Sequence, residues 1–391
     1  MSFEANIWKM YIFKFSFSLQ FVGGVLVPFF LDWGKISFTQ IMILQSFFVF
    51  SVFLLEVPTG AVADYLGRKT SIICAAVTTS IGALVYSSYP HFYIFLLGEF
   101  VWALGLAFLS GADEALVYDS LIAAKSEKES KRIFGRFNSF QLAALMISAP
   151  IGSIIAATLG LRYTMMFMSV PFLVASFIAL TFEEPEPKKK SESKKYLETL
   201  VNGVRYFKDH KILKILAFDK ISIGGLIFFI LWTYQPLLKQ LGVPLIFFGF
   251  VHAAMTGVEI PFMNSFERLE KIFGSKKRYL LWSALIAGAA FILLGINTWV
   301  PITVVLLLTV AGFGLSRYVL FQNYMNKYIE SDVRATVIST VSMVDRIVRA
   351  VLCPVVGLLV EWSLEYSLII LGAAIVVFGL ISGVEEEHLI D

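Results

Sequence analysis

Residues 60–69 read Gly-Ala-Val-Ala-Asp-Tyr-Leu-Gly-Arg-Lys, a short charged stretch between two long apolar segments. Its glycines, its acid and its two basic residues follow the order G-x-x-x-D-x-x-G-R-K. Glu56-Val57-Pro58 stands just before it, and Glu259-Ile260-Pro261 repeats the Glu-x-Pro pattern in the second half of the chain. The same pattern thus recurs in similar apolar surroundings about halfway along the chain. This repetition predicts two related halves around one central pathway.

The composition is that of a protein that crosses a membrane several times. Of 391 residues, 58% are hydrophobic and only 16% are charged, and the mean hydropathy is +0.77. Soluble chains carry roughly 45–50% apolar and about 25% charged residues. Cys74 and Cys353 both lie in apolar runs, so the sequence predicts neither a disulfide framework nor a cysteine-based metal site.

Twelve apolar segments reach the length of about 20 residues that a membrane-crossing helix needs. We number these predicted spans 1 to 12, with approximate bounds 8–31, 38–62, 70–88, 92–117, 136–159, 162–182, 212–237, 244–264, 279–297, 301–325, 335–360 and 365–383. The sequence thus predicts a six-helix N-terminal half over 1–182 and a six-helix C-terminal half over 212–391. Residues 183–211 form the expected cytoplasmic linker, with an amphipathic surface helix over Tyr196–Phe207.

Lysine and arginine are distributed unevenly between the loops on the two sides. If the N-terminus is cytoplasmic, the cytoplasmic loops hold Arg68, Lys69, Lys125, Lys128, Lys131, Arg132, a cluster over 188–195, Lys276, Lys277 and Arg278. The opposite loops hold little beyond Lys35, Arg162 and Lys239. Because positive residues are retained on the cytoplasmic side, we expect both termini there, in a multi-pass protein of the cell membrane.

The 60–69 stretch resembles the signature loop between helices 2 and 3 of the major facilitator superfamily. The resemblance implies an all-α integral membrane protein, with twelve transmembrane helices in two pseudo-symmetric halves. It implies a secondary transporter that moves a small solute by alternating access, without a cofactor, and not an enzyme. The expected partners are a small-molecule substrate and the lipid bilayer, with no nucleic acid, and the expected state is a monomer.

The expected gating motif comprises Gly60, Asp64, Gly67, Arg68, Lys69 and Asp119. Gly60 permits close approach of a neighbouring helix, and Gly67 permits a tight turn. By resemblance, Asp64 caps the start of span 11 near Arg334, and Arg68 pairs with Asp119 at the end of span 4. Together these contacts would close the cytoplasmic side. The alternative is that the basic residues only anchor the topology.

Several ionisable residues fall within the spans, where a charge at the bilayer centre costs about 2.5–3.5 kcal/mol. Each therefore needs a partner, an aqueous cavity or a neutral form. The candidates for coupling or for the substrate cavity are Glu56, Glu114, Glu259, Arg317, Asp345, Arg346 and Arg349.

Spacing along the helices predicts some of the partners of these charges. Asp345 and Arg349 are four residues apart and can pair on one helix face. Asp219 and Lys220 are adjacent, so they point in different directions and need separate partners. Glu56 and Glu259 each precede a helix-weakening proline, and at least one of the two is predicted to bind a proton. The alternative is a fixed ion pair, for example of Glu259 with Arg317 or Arg346.

The leading functional interpretation is proton-coupled efflux of a small amphipathic compound. The sequence departs from the exporters of the superfamily at two places. Val101 stands where many proton-coupled exporters of the superfamily carry an arginine, and Ala149–Ser153 matches only part of the G-P-x-x-G-G stretch of drug antiporters. The alternative is an importer of a small nutrient or an organic anion, which the arginines of spans 10 and 11 would suit. A non-transporting receptor is a remote alternative, and no H-E-x-x-H, G-x-S-x-G or P-loop motif indicates an enzyme.

Overall fold

A computed structural model describes residues 3–184, 205–207, 209–329 and 334–390. All regular structure in these ranges is helical. Nine stretches among the described residues are long and apolar enough to cross a membrane, and they correspond to predicted spans 2 to 10. They are Phe38–Leu66, Arg68–Tyr86, Phe92–Ala123, Glu127–Thr158, Leu161–Leu180, Lys211–Gln240, Leu245–Asn264, Lys276–Ile296 and Val300–Lys327.

The other three predicted spans are also helical. Span 1 is broken into Phe3–Phe17 and Gly23–Trp33, span 11 is Arg334–Trp362, and span 12 is Leu364–Leu380. The centre of span 11 carries three charged residues, Asp345, Arg346 and Arg349. All twelve predicted spans are therefore present as helices, and the fold prediction is confirmed.

The interruptions within spans follow from local sequence. Span 4 divides into Phe92–Leu109 and Ala112–Ala123 at Gly111, which has a φ of 74°. Span 7 divides into Lys211–Ile227 and Ile230–Gln240. Span 10 divides into Val300–Thr309 and Arg317–Lys327, and a π-helical turn over Val310–Leu315 separates these two helices. Span 5 is helical over Ser130–Thr158 and span 8 over Phe248–Asn264; a short helix, Phe266–Phe273, precedes span 9.

The described residues group into two compact units. The N-terminal unit comprises Met1–Ser193 with Pro244–Ala253, and the C-terminal unit comprises Lys194–Val243 with Ala254–Asp391. The segment Pro244–Ala253 is the beginning of span 8. Of the predicted linker 183–211, residues 185–204 and 208 lie outside the described residues, and with them most of the predicted surface helix.

Small residues set the packing within the N-terminal unit. Span 3 packs against spans 4 and 6, and span 1 packs against spans 4, 5 and 6. A Cβ added to Gly105 would lie 2.2 Å from the Thr79 hydroxyl, so only glycine allows spans 3 and 4 to approach this closely. Gly249 at the start of span 8 meets span 5 in the same way, because an added Cβ would lie 1.9 Å from the carbonyl oxygen of Ala149.

The C-terminal unit follows the same principle. Span 9 packs against span 12 through Gly288 and Gly372; an added Cβ on either would lie under 3 Å from the carbonyl oxygen of the other. Span 7 packs against spans 10, 11 and 12, and its apolar side chains join a buried cluster that includes Leu216, Tyr279 and Phe321. This packing places the charged residues of spans 7, 10 and 11 near one another.

Candidate functional site

The turn of the signature loop is held by a residue beyond it in sequence. Gly67 links the helices of spans 2 and 3 with a φ of 92°, which confirms the predicted tight turn. The Glu184 carboxylate, after span 6, accepts hydrogen bonds from the backbone N–H groups of Arg68 at 2.9 Å and Lys69 at 2.7 Å. A carboxylate is stabilised at a helix N-terminus, where backbone N–H groups lack partners. The loop is thereby tied to the end of span 6.

Arg68 joins the loop to span 4, as predicted. Its guanidinium forms an ion pair with Asp119 and donates to the backbone carbonyl of Ala115 at 2.7 Å. Asp64 is exposed, and no atom of the described residues lies within 4 Å of a Cβ added to Gly60. The close helix contact expected at Gly60 stays a prediction. The expected lock between the halves stays a prediction.

The C-terminal unit contains a helix cap of the same design. Glu386, after span 12, accepts hydrogen bonds from the N–H groups of Lys276 at 3.0 Å and Lys277 at 2.8 Å, at the start of span 9. Partial burial opposes ionisation of Glu386, but the hydrogen bonds from Lys277 and Lys276 outweigh it and lower its pKa. The sequence of the second loop, 267–278, departs from the signature, but the cap itself is conserved in form between the two units.

A buried ion pair joins the corresponding spans of each unit, with reversed polarity. In the N-terminal unit, Lys14 of span 1 lies 2.9 Å from Asp113 of span 4. In the C-terminal unit, Asp219 of span 7 lies 2.7 Å from Arg317 of span 10. Pairing and additional hydrogen bonds are what make a buried charge tolerable.

Arg317 is fully engaged by its surroundings. Besides Asp219, its guanidinium donates to the carbonyl of Leu280 and the hydroxyl of Ser283, and the residue is 2% exposed. Asp219 also accepts a hydrogen bond from the Ser382 hydroxyl at 2.6 Å. These contacts correct one alternative, because Arg317 pairs with Asp219 and not with Glu259. Its place in the substrate cavity stays a prediction.

Lys220, Asp345 and Arg349 form a second charged group in the C-terminal unit, which we call the cation cluster. Arg349 pairs with Asp345, which confirms the pairing that their spacing predicts. Lys220 points away from Asp219, as predicted, and its ammonium lies 3.9 Å from the centre of the Tyr318 ring. The Arg349 guanidinium lies 4.9 Å from the centre of the Phe228 ring. Arg346, by contrast, is exposed.

Three of the predicted acids, Glu56, Glu114 and Glu259, differ in their surroundings. Glu259 is half-buried on span 8, and it forms no hydrogen bond or ion pair with any residue in the described ranges. Glu56 is also half-buried but has a partner, and Glu114 is exposed. Among these acids, Glu259 is therefore the carboxyl group whose charge the described protein does not compensate.

A fourth acid, Glu99 of span 4, could not be oriented from the sequence. It is only 4% exposed, and it accepts a hydrogen bond from the Gln45 amide at 2.9 Å. The Tyr86 hydroxyl is its second hydrogen-bond partner. Both partners are neutral, and aromatic rings, including that of Phe95, pack beside Tyr86. Glu99 is thus enclosed in an aromatic and amide environment within the N-terminal unit.

Two π-helical turns were also absent from the sequence prediction. One covers Phe29–Trp33 in span 1, and the other covers Val310–Leu315 in span 10. A Cβ at Gly312 would lie 2.6 Å from the ring of Phe262, three residues after Glu259 on span 8. Such turns occur often at functional sites, and this one packs beside the stretch of span 8 that carries the uncompensated acid. The Gly-Phe-Gly sequence of 312–314 is the signal that could have revealed it.

Comparison with known proteins decides the family. The model of the Major Facilitator Superfamily matches residues 11–352. The chain belongs to this superfamily. Its family and its apolar helices make it a multi-pass membrane protein.

Relatives within the superfamily are distant. A glucose/galactose transporter of Brucella abortus biovar 1 (strain 9-941) is 24% identical over 178 residues, which is 42% of each chain. The putative metabolite transport protein YwtG of Bacillus subtilis (strain 168) is 25% identical over 257 residues, 62% of this chain and 54% of the relative. The matches thus span about half the length of these relatives or less.

Solved structures share the fold at still lower sequence identity. The nucleoside transporter NupG superposes with a TM-score of 0.79 at 14% identity, covering 96% of this chain and 97% of NupG. A D-xylose-proton symporter superposes with a TM-score of 0.72 at 16% identity, covering 98% of both chains. At such identities the likeness establishes the architecture alone.

Proposed function

We propose that this protein is a proton-coupled secondary transporter of a small polar metabolite, with Glu259 as the coupling acid. The observation that carries the proposal is the absence of any hydrogen-bond or ion-pair partner for Glu259 among the described residues. The names of the relatives, which include sugar, nucleoside and metabolite transporters, support the metabolite class and favour uptake.

The physical argument rests on the cost of an uncompensated charge in an apolar helix. A carboxylate without a partner is expensive there, whereas its protonated form is not. Glu259 lies two residues before Pro261, which has no N–H to donate to the carbonyl of Gly257. A protonated Glu259 could donate to such a free carbonyl. We expect Glu259 to bind a proton in one access state and release it in the other.

Efflux, the leading interpretation from sequence, is the second candidate. The observation that favours it is the packing of the partial antiporter-like stretch 149–153 in span 5. A Cβ at Gly152 would lie 1.6 Å from the carbonyl oxygen of Phe21, and the hydroxyl of Ser153 donates to the carbonyl of Ile246 at 2.9 Å. Span 5 is thus held tightly against spans 1 and 8 within the N-terminal unit.

The test is transport by purified protein in liposomes. A substrate is first selected from sugars, nucleosides and carboxylates by thermal shift, because a bound ligand stabilises the folded protein. Exchange and gradient-driven accumulation are then compared for the parent, Glu259→Gln and the matched variant Glu56→Gln. We expect Glu259→Gln to exchange substrate but to lose accumulation driven by a pH gradient. Accumulation by Glu259→Gln at the parental level would refute the proposal.

A further inference from the structure

The cation cluster in the C-terminal unit has more hydrogen-bond donors than acceptors. The ammonium of Lys220 can donate three hydrogen bonds, and the guanidinium of Arg349 can donate five. Asp345 is the carboxylate that these two cations share: it pairs with Arg349 and acts electrostatically on Lys220. Two cations beside one carboxylate leave one positive charge in excess.

The burial of the cluster makes this excess significant. Lys220 is only 4% exposed, and among the described residues it has no ion pair and no hydrogen-bond acceptor, only the ring of Tyr318. The Nε of Arg349 is buried and likewise lacks an acceptor. A buried donor without an acceptor loses its hydrogen bonds to water and forms none within the protein. This loss costs about 1–3 kcal/mol, and more for a charged group.

The neighbouring charges do not supply the missing acceptor. Asp219, adjacent to Lys220, is engaged by Arg317 and Ser382. Arg346, adjacent to Asp345, is itself a cation and is exposed. The contrast with Arg317 is informative, because that guanidinium is bonded to a carboxylate, a carbonyl and a hydroxyl at once. The donors of Lys220 and Arg349 are therefore available for a ligand.

We propose that Lys220 and Arg349 form an anion subsite of the substrate site, and that the transported metabolite carries one carboxylate. This inference rests on the proposed function and specifies its substrate class. A carboxylate brings one negative charge, which matches the single excess positive charge of the cluster. A phosphate monoester brings about 1.5 to 2 charges at pH 7 and would overcompensate it. The Nε of Arg349, which has no acceptor, adds a fixed donor to the ammonium of Lys220, and two donors suit the two oxygens of a carboxylate.

The cluster also indicates where the rest of the ligand would lie. The rings of Tyr318 and Phe228 lie beside the two cations. A Cβ added to Gly225 of span 7 would lie 3.8 Å from the Cγ of Arg349. An apolar or ring-shaped ligand body can pack beside these aromatic side chains while its carboxylate reaches the donors.

The experiment compares matched ligands that differ only in the acidic group. Purified full-length protein is titrated with glucuronate, glucose and inorganic phosphate, and binding is read as a thermal shift and by calorimetry. We expect glucuronate to bind at least about tenfold more tightly than glucose, since hydrogen bonds to charged groups are worth more than neutral ones. We expect Lys220→Gln to abolish this preference and Lys220→Arg to retain most of it.

Two further variants separate a binding role from a packing role. Lys211→Gln removes an exposed positive charge from the same span and should leave the preference for glucuronate unchanged. Arg349→Lys keeps the charge but loses the planar edge, so it should weaken glucuronate binding while glucose binding stays the same. This second variant tests the subsite even if Lys220→Gln does not fold.

Three results would overturn the subsite. They are equal affinity for glucose and glucuronate, no binding of glucuronate, or a phosphate affinity as high as that for glucuronate. Because these titrations need no proton gradient, their failure is distinguishable from a failure of proton coupling at Glu259.

Discussion

Replacing Arg317 by leucine should destabilise the C-terminal unit more than any other single loss of a charge. The substitution removes the ion pair with Asp219 and the hydrogen bonds to Leu280 and Ser283. Asp219 would then keep only the hydroxyl of Ser382 as a partner, 2.6 Å away. Breaking a buried pair in this way costs about 3–5 kcal/mol, because one charge is left uncompensated.

The surroundings of the pair place the loss at the lower end of that range. A cavity of about 160 Å³, lined by Asp219, Ser382 and Lys277, borders the pair and offers room for water. We therefore expect a loss of about 3 kcal/mol in Arg317→Leu. For units of this size, each kcal/mol shifts the melting temperature by about 2–4 °C, so the expected fall is roughly 6–12 °C.

The assay is a thermal melt of the purified variants in detergent, with Asp219→Leu and the double variant as the other corners of a double-mutant cycle. The double variant buries neither charge, so it should be clearly more stable than Arg317→Leu alone. If the double variant is destabilised by the sum of the two single losses, the two side chains are not coupled and the reasoning fails.

Three further predictions concern the loops that are capped by acids. Gly67→Ala should destabilise the protein by about 1–3 kcal/mol, because its φ of 92° and ψ of 157° lie in a region that is essentially limited to glycine. Gly60→Ala should not lower the melting temperature, because no atom of the described residues lies within 4 Å of the added Cβ. Arg68→Ala and Asp64→Asn should each abolish flux in liposomes while membrane insertion stays normal; normal flux in inserted Asp64→Asn would remove the gating role. Glu386, whose pKa is lowered in the folded state, should stabilise relative to Glu386→Gln above its unfolded pKa of about 4.3 and lose that advantage as pH falls further. Melting curves from pH 7 to pH 3 measure this, and a constant difference would contradict it.

The sequence predicted the features that depend on local pattern. The twelve spans follow from apolar length, and the Asp345–Arg349 pair follows from its spacing along one helix. The Arg68–Asp119 pair came from family resemblance and is confirmed. In each case either the residues are close in sequence or a known motif links them.

The features that the sequence could not predict depend on how helices rotate and pack. The partner of Arg317 is 98 residues away in the chain, and its identity depends on which faces of spans 7 and 10 meet. The caps formed by Glu184 and Glu386 join the end of one span to the start of another, 116 residues apart in the case of Glu184 and Arg68. No periodicity encodes such contacts, and the orientation of Glu99 was undetermined for the same reason.

Substrate-driven proton movement tests the central claim most directly. Protein is reconstituted in liposomes that contain a trapped pH-sensitive dye, and substrate is added outside in the absence of a pH gradient. The account predicts a pH change inside the vesicles for the parent, acidic for uptake with protons and alkaline for exchange against them. It predicts no change for Glu259→Gln, although substrate exchange continues. A pH change of parental size in Glu259→Gln would show that protons are carried without this carboxyl group and would contradict the account.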